Sequence, residues 1–475
     1  MTFPHNFTWG VAAAAYQIEG GWDADGRAPS VWDAFSQVPG NTFENNTGDR
    51  SCDHYHRYKE DVALMANLGV SAYRLSVSWS RVLPDAFGKP NQAGLDFYDR
   101  LFDELLAANI QPWVTLFHWD EPLAMYERGG WINPECVEWF GEYATLLAER
   151  YSDRVTHWMT LNEPQCFIGF GHATGYHAPG PIRPRRDVLA ATHNVLKAHG
   201  KAVQAIRAAS TPATHIGWAP VGVTFIPDSD SPEDVEQARR YMFDFPPPTC
   251  DMTSQYYFNN AWYSDPVILG HYPKGGEAYF GKDMPRIKDA DMELISQPID
   301  FYGVNIYFGS ARVRANMDPN DLNFRELGMP RTMTGWPVTP EALYWGPKLI
   351  AERYNLPIYI TENGTAGMDW IHSDGKVNDH HRIDFLTRYL RQLKRAIDQG
   401  IDIRGYFQWS IMDNLEWSEG YSKRFGLVYV DFETLQRLPK ESFHFYKQII
   451  QSNGELLSTI KDEHPGLYAG LTQRP

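Results

Sequence analysis

Apolar residues recur along this chain in two rhythms that take turns. From Cys136 to Val155 they fall at Val137, Phe140, Ala144, Leu147 and Tyr151, alternate steps of three and four that trace one stripe of a helix. The run VTHWMTLNEP follows at once, as a strand buried on both faces would. The same succession returns at Ile383, Leu386, Leu390, Leu393 and Ile397, where Gly400 supplies a stop and IDIRGYFQWS comes next. Helical spacing also covers 54–68, 92–108 and 187–209. The apolar runs give eight strand candidates: 8–16, 71–77, 111–117, 155–162, 214–219, 300–307, 357–362 and 403–409.

Doubly buried strands that alternate with helices form parallel sheets, and eight such units predict a closed (β/α)₈ TIM barrel of the α/β class. A doubly wound open sheet is the competing architecture, but the GxGxxG turn expected near its first strand is missing. The intervals 220–299 and 308–345 are too long for simple connections. They are rich in Pro, Gly, Asp and aromatics, with PDSDSPED and DFPPPTCD read as turn clusters, and are expected to build walls over the barrel mouth. No Ser/Gly linker or repeat divides the chain, so residues 1–475 are expected to form one domain.

In such a barrel the C-terminal strand ends share one face, where chemistry collects. The first strand ends near Gln17 and Glu19; the second passes Arg74 and ends near Trp79; the third ends at His118 and Trp119. Asn162 and Glu163 close the fourth, Asn305 and Tyr307 the sixth, Glu362 the seventh and Trp409 the eighth, with Asn414, Glu416 and Trp417 in the loop beyond. This mixture of carboxylates, amides, one imidazole and indoles suits a neutral sugar, whose hydroxyls need paired donors and acceptors and whose apolar face stacks on indole. With 16 Trp, 26 Tyr and 25 Phe, most aromatics must fill core and helix seams, whereas Trp409 at a strand end and Trp417 in the loop beside Glu416 are read as functional. Glu163 and Glu362 face each other across the ring, the arrangement a retaining glycosidase needs; buried carboxylates paired with Arg for stability are the alternative. Arg74 and the Tyr307 hydroxyl are expected to keep Glu362 ionised, leaving Glu163 as the more readily protonated acid.

Charge narrows the partners. Lys and Arg total 43 against 59 Asp and Glu, a net −16, which repels nucleic acid and anionic lipid. The N-terminus has no basic leader and no apolar run is long enough to cross a bilayer, so neither export nor a membrane role is expected. The four cysteines, Cys52, Cys136, Cys166 and Cys250, are scattered without a CxxC pair, as befits thiols in a cytoplasmic enzyme.

Four stretches, FTWGVAAAAYQIEGG (7–21), LNEP (161–164), ITENG (360–364) and NLEWSEGYSKRFG (414–426), resemble the glycoside hydrolase family 1 β-glucosidases, in order and over nearly the whole chain. The resemblance implies a (β/α)₈ barrel and retaining hydrolysis of β-glucosides such as cellobiose, short cello-oligosaccharides and aryl glucosides, without metal or organic cofactor. It implies Glu163 as acid/base and Glu362 as nucleophile. Sugar-binding positions carry over to Gln17, His118, Trp119, Asn162, Asn305, Tyr307, Trp409, Glu416 and Trp417, with Phe425 near the 6-position and Trp336 as an aglycone platform. Myrosinase-like members have Gln where this chain has Glu163. Members acting on 6-phosphosugars have a Ser/Lys/Tyr grip where this chain has Glu416, Trp417 and Phe425, so a free 6-hydroxyl is indicated.

Two edge positions depart from the common pattern, Gln165 after NEP and Thr365 after ENG, and both bear on leaving-group preference. Phe170, Tyr176, His177 and Phe243 are candidates for narrowing the entrance. The HxH of His54 and His56 raises a metal site, but it precedes a helix and not an open strand end. A sugar-binding protein without catalysis and a transglycosylase remain as alternatives.

Overall fold

A computed structural model describes residues 2–209, 211–245, 256–317 and 328–460. Eight parallel strands close into a barrel: Thr8–Ala12, Ala72–Ser76, Gln111–Phe117, His157–Asn162, His215–Ala219, Phe301–Asn305, Ile358–Asn363 and Ile403–Trp409. Neighbours in sequence are neighbours in the sheet, and the ring shuts where the first strand pairs on one side with the second (Gly10↔Ala72) and on the other with the eighth (Gly10↔Phe407).

Two apolar layers hold the ring. The outer one lies between strands and helices; Leu95, Phe102 and Leu105 of helix Gln92–Ala107 and Phe140, Leu147 and Tyr151 of helix Cys136–Tyr151 are fully or almost fully buried in it. The inner one fills the barrel with Trp113, Met159, Phe301 and Phe407 set among alanines. Large rings on some strands demand small residues on their neighbours. A Cβ on Gly10 would sit 2.3 Å from the Phe407 ring, and one on Gly217 would sit 2.4 Å from Phe301. The stop at Gly400 is as read: Gln399 caps helix His380–Asp398 and Gly400 follows with φ 87°.

Two local readings change. The first strand stops at Ala12, and Ala15–Ile18 is a helical turn, because an alanine run with Tyr and Gln is as ready to coil as to extend. In PDSDSPED the Ser231 side chain accepts from the Asp234 amide, and Pro232 opens helix Pro232–Phe243, so half of that turn cluster is a helix start. Within DFPPPTCD, residues 246–251 lie outside the described residues. The two long intervals contribute a small parallel sheet, Thr224–Pro227 with Gly309–Val313, which no local pattern announced. Among the described residues no helix is long and apolar enough to cross a membrane. Cys52, Cys136 and Cys166 are free thiols; Cys250 lies outside the described residues.

Candidate active site

The strand ends surround a cavity of about 230 Å³. Glu163 enters it from a backbone turned left-handed (φ 45°), with Pro164 opening the short helix Pro164–Ile168 directly behind. Trp119 (φ 76°) and Trp417 (φ 52°) share that backbone class. Side chains other than glycine hold it at a cost of about 1–3 kcal/mol and only where their surroundings leave no alternative.

A chain of hydrogen bonds through Asn305, Asn162 and Arg74 links the two carboxylates. Asn305 Nδ2 donates to Glu163 Oε1 at 2.9 Å and to Asn162 Oδ1 at 3.0 Å, and Arg74 spans from that same Asn162 oxygen to Glu362. Thr361 Oγ1 donates to Asn305 Oδ1 at 2.7 Å, which fixes the amide's orientation.

Donors are shared unequally. Glu362 accepts from Arg74 Nη1 on one oxygen and from the Tyr307 hydroxyl, 2.7 Å, on the other. Arg74 is fully enclosed; its other hand donates to Asn162 Oδ1 at 2.6 Å and Nη1 also reaches Thr361 O at 3.1 Å. Burial raises the pKa of both carboxyls, against the opposing pull of Arg74 and Tyr307 on Glu362. For Glu163, burial and then the Glu362 charge push it up to about 8, with the Asn305 bond only partly offsetting them. A single proton in this pair therefore rests on Glu163.

The polar wall presents unused hydrogen-bonding atoms. Gln17 Nε2 is taken by Leu415 O (2.8 Å) and Asn414 Oδ1 (3.1 Å), while Gln17 Oε1 and Glu416 Oε2 are buried without a protein partner. Burial, then repulsion from Glu362 and Glu163, raises Glu416 to about 8. Asn162 Oδ1 is occupied by two donors, so its Nδ2 donates to His118 Nε2 at 3.0 Å. Burial and Arg74 hold His118 far below the usual imidazole range, so the ring is neutral and its proton lies on Nδ1. Trp417 packs between Trp119 and Trp32, with ring centres 4.5 and 4.7 Å away, and Trp336 covers Tyr307 at 5.2 Å.

The profile of Glycosyl hydrolase family 1 matches residues 1–455. The chain belongs to that family. It is 43% identical over 459 residues to a 1,4-β-D-glucan glucohydrolase of Thermotoga neapolitana, spanning 95% of this chain and 99% of the relative. It is 39% identical to an aryl-phospho-β-D-glucosidase of Bacillus subtilis, spanning 96% and 98%. The structure superposes with a TM-score of 0.86 on a Thermotoga maritima β-glucosidase in complex with glucoimidazole, at 42% identity, covering 95% of this chain and 99% of that one. The barrel predicted from the sequence is the fold of this family 1 chain.

Of the positions singled out in the sequence, His118, Trp119, Glu163, Asn305, Tyr307, Trp336, Glu362, Trp409, Glu416 and Trp417 line the cavity of the family 1 chain. Gln17, Asn162 and Arg74 stand behind that lining, and Phe425 is buried against Tyr307 and Trp336, with ring centres 6.0 Å from each. Phe170 and His177 reach the cavity, and Tyr176 is half-exposed with its hydroxyl on Glu419. Phe243 is in the core against Arg353 and Tyr354, so it does not narrow the entrance. Glu19 pairs with Arg81 Nε at 2.9 Å and Tyr98 at 2.6 Å, and Trp79 stacks on Tyr143; both serve packing. His54 is buried on Asp61 while His56 pairs with Asp53 on the surface, so the two imidazoles of HxH have separate partners.

Gln165 and Thr365 are buried at the edge. Gln165 exchanges two hydrogen bonds of 3.2 Å with the Val221 backbone, which clamps a stretch of cavity wall. That wall is the part the sequence reading missed: Cys166, Val221, Gly222, Val223, Phe258, Phe308 and Ser310 also line the cavity. Phe258, Phe308 and Ser310 lie in the two long intervals, and the Pro/Gly-rich stretch around Val221 begins the first of them, so only the reading of those intervals as mouth walls pointed to them.

Proposed function

We propose that this protein is a retaining β-glucosidase, one catalytic unit in which Glu362 is the nucleophile and Glu163 the acid/base. The reading is carried by two buried carboxylates on one cavity whose donors are divided so unequally, Arg74 and Tyr307 on Glu362 and Asn305 on Glu163. Glu362, facing Arg74 and Tyr307, supplies the anion that bonds to the anomeric carbon as the bond to the leaving oxygen breaks, and Glu163 gives that oxygen its proton. Once Glu362 is esterified its charge is gone. The repulsion that raised Glu163 vanishes with it, so its pKa falls and the carboxyl, having given up its proton, stays ionised to take a proton from the water that attacks the anomeric carbon and frees Glu362.

Glu416 and Gln17, with Asn162 and His118, bind the sugar hydroxyls, and Trp409 and Trp417 carry the ring. The substrates are terminal β-glucosides of cellobiose, short cello-oligosaccharides and aryl or alkyl alcohols, with galactosides, fucosides and glycosyl transfer to sugars as side reactions. The Bacillus subtilis relative is named for a phosphorylated glycoside, but the described residues that line this cavity include three glutamates and no Lys or Arg, which favours an uncharged sugar. The test is Glu362→Gly with added azide and an activated aryl glucoside. The expected product is the α-glucosyl azide; a β-glucosyl azide assigns the nucleophile to another residue.

A further inference from the structure

His177 lines the cavity at 7% exposure, yet it stands on no strand end. Its backbone amide donates to Phe170 O at 3.2 Å, and its ring rests against Phe170 and Trp119, with centres 5.1 and 5.6 Å away. The two ring nitrogens differ. Nδ1 lies 2.9 Å from Ser418 Oγ, and that hydroxyl gives its one hydrogen to Tyr176 O at 2.7 Å. Ser418 Oγ can therefore only accept from the imidazole, so the proton sits on Nδ1. Burial pushes the ring's pKa down to about 3, so it carries no second proton near neutrality. Nε2 is left a bare acceptor with no partner among the described residues, and it is not sealed in as the Nε2 atoms of His172 and His199 are. We propose that Ser418 fixes the His177 tautomer so that Nε2 accepts a hydrogen bond from a hydroxyl of the departing sugar of an oligosaccharide. The inference rests on the β-glucosidase reading above and adds a preference for leaving groups that carry hydroxyls.

The chain path places the acceptor on the leaving-group side. Glu163 protonates the leaving oxygen, and residues 164–177 run directly from it to the ring. Phe170, beneath His177, also packs on Phe258 of the first long interval, with ring centres 5.0 Å apart. The glucosyl hydroxyls already have Gln17, His118, Asn162 and Glu416, on strand ends or just beyond them. An atom that only accepts takes an O–H and gives nothing to an alkyl group, so it separates a sugar from a hydrocarbon ring of similar bulk. Ser418 acts through His177 and is a positioning residue. Its place is held by the neighbouring bond from the Tyr176 hydroxyl to Glu419 Oε1, 2.5 Å.

The test compares kcat/KM on cellobiose with that on cyclohexyl β-D-glucoside, whose leaving ring has no hydroxyls. His177→Asn keeps a side-chain N–H for Ser418 and loses the Nε2 acceptor, whereas His177→Phe loses both. Each should lower the cellobiose value about three- to tenfold, the worth of one hydrogen bond, and hold cyclohexyl glucoside within about twofold of wild type. Ser418→Ala frees the tautomer and should lower the cellobiose-to-cyclohexyl ratio in the same direction, while Ser418→Thr keeps the hydroxyl and restores the ratio. Equal losses on both substrates, as packing damage would give, overturn the inference, and so does an unchanged ratio in the His177 variants or in Ser418→Ala. A wild-type enzyme that cleaves neither glucoside overturns the β-glucosidase reading instead.

Discussion

Tyr307→Phe isolates one donor on the proposed nucleophile. The phenol hydroxyl donates to Glu362 Oε2 at 2.7 Å, and the ring is otherwise held by Trp336 and Phe425, contacts that phenylalanine keeps. A hydrogen bond to a charged group contributes about 1.5–3 kcal/mol. At about 1.4 kcal/mol per pKa unit, its loss raises the Glu362 pKa by about one to two units. The donor favours the ionised form, so its removal favours the protonated one, and the acid limb of kcat/KM must move to higher pH by that amount. Arg74 still faces the other oxygen, so activity on the plateau falls less than it does below the limb. The assay is kcat/KM on an aryl glucoside from pH 4 upward, with the basic limb as internal reference. An acid limb that stays in place or moves down refutes the division of donors on which the assignment of the two glutamates depends.

Other expectations follow from the same structure. Glu416→Ala should lower kcat/KM on glucosides and galactosides by about 2–3 kcal/mol of transition-state stabilisation, the worth of charged hydrogen bonds to a sugar hydroxyl; unchanged kinetics exclude the contact. Glu121 is 2% exposed, and burial raises it to about 8, so its folded pKa lies above the unfolded one. Its contribution to stability is whole below the unfolded value near 4.5 and is lost as pH climbs toward 8. Glu121→Gln should therefore flatten the decline in Tm between pH 5 and 8, and an equally steep decline in the variant would contradict this. Lys440, with no exposure, donates to Asp369 and Asp413 at 2.6 Å each. Lys440→Met should cost about 3–5 kcal/mol in denaturant unfolding, because it strands buried carboxylates; a loss below 1 kcal/mol would mean that Arg382 and Arg424 neutralise them unaided.

Two of the barrel strands, 111–117 and 403–409, match the predicted spans end to end, because each is bounded by a helix stop before it and a polar loop after it. The first strand was overdrawn by four residues, since Ala13 to Tyr16 carry no polar mark where extended chain becomes a helical turn. The sheet joining 224–227 to 309–313 depends on pairing across some eighty residues, which no local rhythm records. The site divides in the same way. Side chains on strand ends inherit their position from the barrel, so Glu163, Asn305 and Glu362 could be placed from the sequence, whereas Cys166, Val223 and Phe258 are set by loop paths and by clamps such as Gln165 on Val221. Strand-end logic also overreached: Glu19 and Trp79 lie just past their strands, yet each turns into the core toward Arg81 and Tyr143.

Arg382 binds Asp369, Asp379 and the Arg424 carbonyl, Lys440 bridges Asp369 to Asp413, and Arg424 returns to Asp413. These six charges bolt the loop after the seventh strand to the loop after the eighth, directly beneath Phe425. The half of the mouth proposed above to bind the sugar is thereby built like a keystone, in which no voussoir shifts without loosening the others. The opposite half hangs from neutral amide clamps on inserted segments and bears none of that thrust. Variants selected for new alcohols as leaving groups should accordingly gather on the clamped side, and variants selected for a new sugar should need several changes at once.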